Sequence, residues 1–162
     1  MRTVLLVTLL LTACDRSEPA ADIVARFAAL TPQCSAPAPY TPRAPLKIGV
    51  AQLPLDDASI RETITCTGHD VRLVVSRDEH QTTRAVEITF LANTSAEVRP
   101  RIEPAITGLV PPDAVRHILD DLEEVITEPH RVGDVKVKSR QDIPPPPGLP
   151  LRREFTVEIR WP

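Results

Sequence analysis

The stretch that decides the fold runs from Ser59 to Ala92: SIRETITCTGHDVRLVVSRDEHQTTRAVEITFLA. Apolar residues alternate with polar ones through most of it, which is the period of a strand with one buried face. Ile60, Ile64 and Cys66 share one face, and Thr67-Gly68-His69-Asp70 reads as a turn. Val71, Leu73 and Val75 carry the inward face back. After the polar run RDEHQTTR, Val86, Ile88, Phe90 and Ala92 do the same. Three strands joined by short turns predict an antiparallel meander. The other face holds Arg61, Thr63, Thr65, Arg72, Glu87 and Thr89. A sheet buried on both sides would not carry charges of both signs there, so a parallel α/β core is excluded.

The flanking segments supply the second layer. Ile23, Val24, Phe27 and Leu30 recur at helical spacing, with Ser17 or Glu18 as a cap and Pro19 in the first turn, predicting a helix over about 18–30. Residues 32–54 carry six prolines, Pro32, Pro37, Pro39, Pro42, Pro45 and Pro54. Such a segment cannot be a continuous helix or a central strand, and it reads as an extended strap with one edge strand near LKIGVAQL, 46–53. PPDAVRHILDDLEEVI, 111–126, places Val115, Ile118, Leu119, Leu122, Val125 and Ile126 on one stripe, with Pro112 and Asp113 suited to a first turn. Val135 and Val137 alternate with Lys136 and Lys138, and Phe155, Val157, Ile159 and Trp161 alternate with polar residues. These patterns predict two more strands. The fold class is therefore α+β: a two-layer sandwich, an antiparallel sheet of about five strands with two helices on one face, forming a single domain over 18–162.

Composition narrows the function. The chain has 162 residues, a net charge of −3 and only 3% aromatic residues, so the core must be built mainly from Val, Ile and Leu. With no basic excess to neutralise phosphates, nucleic acid is not the expected partner. Five glycines without G-x-G spacing offer no phosphate cradle, and neither a G-x-S-x-G elbow nor an H-E-x-x-H pair occurs. His69 with Asp70 sits in a turn, and His80 and His130 fall in loops. His117, Asp120, Asp121 and Glu124 line the polar face of the second helix, where a run of charge opposite an apolar stripe is a solvated face. The adjacent acids Asp56-Asp57, Asp120-Asp121 and Glu123-Glu124 also read as solvating charge. The expectation is a non-catalytic protein with no cofactor and no metal.

The N-terminus gives the compartment. Arg2 precedes an apolar run from Val4 to Leu11, and small residues lead to Cys14. A positive end, an apolar middle and a small-residue exit are the layout of a secretory signal. Thirteen residues before the cysteine rise about 20 Å as a helix, short of a hydrocarbon core about 30 Å thick. Leu11-Thr12-Ala13-Cys14 resembles the lipobox of bacterial lipoproteins. That resemblance covers the first 14 residues and implies cleavage of 1–13 and thioether attachment of a diacylglyceryl group to Cys14. With at least two acyl chains the anchor is stable, where one chain holds only marginally. Residues 14–17 would be a short tether. Asp15 resembles the residue that retains lipoproteins in the inner membrane of enteric bacteria.

Removing the leader leaves 18 basic against 22 acidic residues and two further cysteines. In an oxidising compartment Cys34 and Cys66 are expected to pair as a disulfide. Two features suit an interaction surface. IPPPPGLPL places Ile143, Leu149 and Leu151 on a stiff proline loop, with Arg152 and Arg153 at its exit. Lys136, Lys138 and Arg140 make a basic edge. The functional expectation is an envelope lipoprotein facing the periplasm, an adaptor, assembly or stabilising factor for a protein complex; the alternative is a small-molecule or peptide binding domain, and a third is a hydrolase using His117 or His69.

Overall fold

A computed structural model of the chain describes residues 20–41, 46–48, 51–53, 59–125, 127–141 and 152–162. The leader 1–13, Cys14, Asp15 and the tether 14–17 lie outside the described residues, as do Ile126, Ile143, Leu149 and Leu151.

The meander forms as its alternation requires. Strands β5 (Glu62–Thr67), β6 (Val71–Arg77) and β7 (Thr83–Ala92) pair antiparallel, in a register that aligns Cys66, Leu73 and Ile88 across the sheet. The last strand, β10 (Arg153–Arg160), does not simply follow at the edge. It inserts between β7 and β9 (Val135–Gln141), so the middle of the sheet runs β5-β6-β7-β10-β9. Inward rows therefore run Val71–Phe90–Phe155, Leu73–Ile88–Val157 and Val75–Val86–Ile159–Val137. Every residue of these rows is buried. The chain's three phenylalanines, Phe27, Phe90 and Phe155, are all among the fully buried side chains.

Among the described residues the sheet is larger than expected, eight strands rather than about five. The additions are short edge pieces: β1 (Gln33–Cys34) and β2 (Ala38–Pro39) against β5, and β8 (His130–Val132) against β9. The expected strap is thus partly sheet, because Pro39 lies on an edge strand, where a missing N–H is tolerated. Within 46–53, β3 (Leu46–Ile48) and β4 (Ala51–Leu53) make a separate two-stranded sheet.

Among the described residues three α-helices, not two, pack at β6, β7 and β9, so the expected pair on one face is not the observed arrangement. Helix α1 (Ala20–Phe27) buries Ile23 and Phe27. Helix α2 (Ser95–Ile106) is unexpected because it contains Pro100 and Pro104. Its buried residues Val98, Ile102, Ala105 and Ile106 still recur at helical spacing. Tertiary burial outweighs the loss of two backbone donors. Helix α3 (Pro112–Asp120) starts where expected but ends early, passing into a 3₁₀ turn over Asp121–Glu123. Ile118 and Leu122 remain fully buried, while the tighter turn leaves Val125 39% exposed. The buried residues of all these helices join the inward residues of the sheet in one core.

Candidate functional site

Three positions flagged by residue type, His69, Asp70 and His80, fall into structural and surface roles in the fold. Asp70, in the β5–β6 turn, receives a bidentate pair from Arg101 of α2, at 2.9 and 2.7 Å. The Arg101 guanidinium also lies 5.0 Å over the Phe90 ring. Hydrogen bonding and charge from Arg101 hold the Asp70 carboxyl below the usual carboxylate range, outweighing partial burial. The neighbouring His69 adds a smaller electrostatic lowering of Asp70. His80 belongs to the β6–β7 hairpin, with its ring largely exposed. There Asp78 accepts the backbone N–H groups of His80 and Thr82 at 2.8 and 3.0 Å and binds Arg84. Burial raises the Asp78 carboxyl, but these donors together carry it below the usual range.

The remaining two histidines converge. His117 on α3 and His130 at the start of β8 stack with ring centroids 4.1 Å apart and planes 9° from parallel. Asp121 Oδ2 lies 3.0 Å from His130 Nε2. That oxygen has no aligned hydrogen bond among the described residues, so the contact is electrostatic and depends on the charge of the imidazole. Sequence separation hid this cluster: β8 brings His130 to α3, and nothing in the spacing of His117 and His130 reveals it.

The nearby hydroxyls are engaged with backbone carbonyls: Ser139 Oγ donates to Ile118 O at 2.8 Å, and Thr127 Oγ1 donates to Ser139 O. Neither is poised against an imidazole as a nucleophile. Parallel stacking also turns the ring nitrogens of the two histidines away from a common point. Among the described residues no group of three or more His, Cys, Asp or Glu side chains is arranged to hold a metal ion.

The expected pairing of Cys34 with Cys66 is present. Cys34 of β1 and Cys66 of β5 face each other in register and form a disulfide. Cys66 is fully buried, so the bridge ties the start of the proline-rich segment to the core.

Of the expected partner-binding residues, Arg152 and Arg153 are described. Arg152 is exposed. Arg153 opens β10 and donates to Gln141 Oε1 at 3.1 Å. Gln141 in turn donates its backbone N–H to Glu124 O at 3.0 Å. The two stems of the proline loop are therefore clamped together. Leu91, 41% exposed, pairs with Glu154 beside one stem, and Val125 adjoins Glu124 beside the other. The basic edge is real and wider than the three expected residues. Lys136, Lys138 and Arg140 point outward from β9, with Arg131 of β8 opposite Lys136 and Arg160 of β10 in the same row.

Among the described residues no helix is long and apolar enough to cross a membrane. Comparison with known proteins yields no match: no family model, no curated protein and no solved structure is similar to the chain.

Proposed function

We propose that this chain is a lipid-anchored protein of the cell envelope, facing the periplasm, that is non-catalytic and serves as an adaptor, assembly or stabilising factor for an envelope complex. The observation that carries the reading is the fate of the three cysteines. Cys34 and Cys66 are joined to each other, which suits an oxidising compartment and leaves Cys14, in its lipobox-like setting, as the remaining thiol. Thioether lipidation at Cys14 would hold the domain close to the bilayer, since only residues 15–19 separate it from α1. Asp15 favours the inner membrane where the enteric sorting rule applies. On this reading the helical layer covers one side of the sheet and leaves the other for contact, and Ile143, Leu149 and Leu151 with Arg152 and Arg153 present an apolar and basic edge to a partner.

The non-catalytic part rests on the state of the polar groups. Asp70 and Asp78 are committed to arginines, and the hydroxyls beside the histidine stack are committed to carbonyls. A small-molecule binding domain would need a polar-lined space between sheet and helices. That layer is instead filled by large apolar side chains, Leu73, Ile88, Ile102, Ile106, Ile118 and Leu122, each fully buried.

Purification of the lipidated protein from its own detergent-solubilised envelope, with Cys14→Ala as control, tests the adaptor role. A stoichiometric partner that the control loses is the expected result. A protein recovered alone in both preparations would overturn it.

A further inference from the structure

We infer that the outward face of the sheet, around β9, is a docking surface for an anionic phospholipid bilayer; the inference rests on the lipid-anchor reading and adds an orientation to it.

Strand alternation builds the face. Because Val135, Val137 and Ser139 point into the core, Lys136, Lys138 and Arg140 must point outward, about 7 Å apart along the strand. Register extends the row sideways: Arg131 stands opposite Lys136, and Arg140 lines up through Thr156 and Thr89 with Arg72. With Arg160, which pairs with Glu158, the outward positions of β6, β7, β10, β9 and β8 hold six cations against the three carboxylates Glu87, Glu154 and Glu158.

What singles out this face is how the arginines elsewhere are used. Arg77, Arg84, Arg99, Arg101 and Arg116 each pair with a carboxylate in the hairpins or helices. Among the described residues, Arg72, Arg131, Lys136, Lys138 and Arg140 form no ion pair. The net charge of the whole chain is −3, so these cations are a local excess and not the overflow of a basic protein. The acids Asp113, Asp120, Asp121 and Glu123 sit instead on α3 and its 3₁₀ extension. A molecule charged in this way is drawn sheet-first to an anionic surface.

The anchor permits that pose. Ile23 and Phe27 of α1 lie in the core on the inward side of β6. Six residues from Cys14 to Ala20 reach at most about 20 Å, about twice the roughly 10 Å thickness of one layer. The anchor and the basic face then act together, as one lipid signal and one polybasic patch do.

The chain's three lysines, Lys47, Lys136 and Lys138, make the test specific. The full lipidated protein is reconstituted into vesicles of phosphatidylcholine alone or rich in phosphatidylglycerol, and its lysines are acylated and located by mass spectrometry. Lys136 and Lys138 are expected to label at least about tenfold more slowly on the anionic vesicles, since each docked cation contributes about fivefold to the docked-to-free ratio. High salt should abolish the protection. The double substitution Arg72→Gln/Arg140→Gln should lower the docked ratio about 25-fold and restore labelling, although it keeps the anchor and the same local surface. Equal labelling on both vesicles, protection that survives the double substitution, or protection in native envelopes alone would overturn the inference, the last assigning the face to a protein. Vesicle flotation separates the two claims. Flotation with both vesicle types but no protection defeats the docking face only, flotation with anionic vesicles only defeats the anchor only, and flotation with neither defeats both.

Discussion

Gly68 lies against the turn that follows α1, and replacing it by alanine sets two effects of opposite sign against each other. Its φ is not in the left-handed region, so alanine incurs no backbone strain there. By restricting the unfolded chain, alanine alone would stabilise by about 0.4–1 kcal/mol. Yet a Cβ at this position would stand 1.9 Å from Leu30 O and 2.9 Å from Val71 Cγ1. Neither neighbour yields easily. Leu30 and Thr31 are held by N–H bonds to Phe27 O at 2.9 and 2.8 Å, and Thr31 Oγ1 donates to the same oxygen at 3.0 Å. On the other side Gly68 N–H donates to Val71 O at 2.8 Å, which fixes the turn. Overpacking of this kind costs about 1–3 kcal/mol. If the strain instead lifts α1, burial of Ile23 and Phe27 is lost, each worth about 1.5–3 kcal/mol. The steric effect wins: overpacking less the unfolded-state gain leaves Gly68→Ala destabilised by roughly 0.5–2.5 kcal/mol, and by more if α1 lifts. Equilibrium urea unfolding of the oxidised protein, followed by Trp161 fluorescence, measures it. A variant as stable as the parent, or more so, would show that the end of α1 does not rest on this turn.

Other perturbations probe separate parts of the fold. Reduction of Cys34–Cys66, which closes a segment of sequence separation 32, should cost about 3–4 kcal/mol, and equal melting with and without reductant would contradict the bridge. Because Arg101 lowers the Asp70 carboxyl in the folded state, the unfolded chain binds its proton first. The stability from this pair is therefore complete above the ordinary carboxylate range and lost as pH falls through the lowered folded value. Asp70→Asn should flatten that acid limb and cost about 1–2 kcal/mol at neutral pH; an unchanged acid limb would refute the assignment. Leu122→Ala should lose about 2–5 kcal/mol. Val125→Ala, three residues on and 39% exposed, should stay within about 0.5 kcal/mol, and comparable losses at the two sites would mean the helix continues through 125.

What the sequence made legible was periodic. β5, β6, β7, β9 and β10 each bury one side and wet the other, so alternation alone located them. α1 and the start of α3 were readable for the same reason at the helical period. α2 was hidden by Pro100 and Pro104; Thr94 and Glu97 carry the spacing of a capping box, but Thr94 makes no side-chain cap bond and Glu97 accepts instead from the Asn93 N–H, one residue before the cap, at 3.2 Å. β1, β2 and β8 are too short for a period to show. β8 had one local signal, the two-residue Gly133-Asp134 turn between Val132 and Val135, with Gly133 at φ 60°. Missing β8 meant missing the His117–His130 stack, a contact set by topology alone. The over-long reading of the 111–126 helix came from a stripe that stays apolar past the point where the backbone tightens. The basic face was legible only in part, since Lys136, Lys138 and Arg140 follow from alternation, whereas Arg72, Arg131 and Arg160 join them through register.

The central claim is that Cys14 is a lipidated N-terminus, and intact-mass and N-terminal peptide analysis of the protein extracted from its native envelope tests it directly. The expected species lacks residues 1–13 and begins at Cys14 with a diacylglyceryl thioether. A chain that still begins at Met1, or a processed chain with a free thiol at Cys14, would contradict the account.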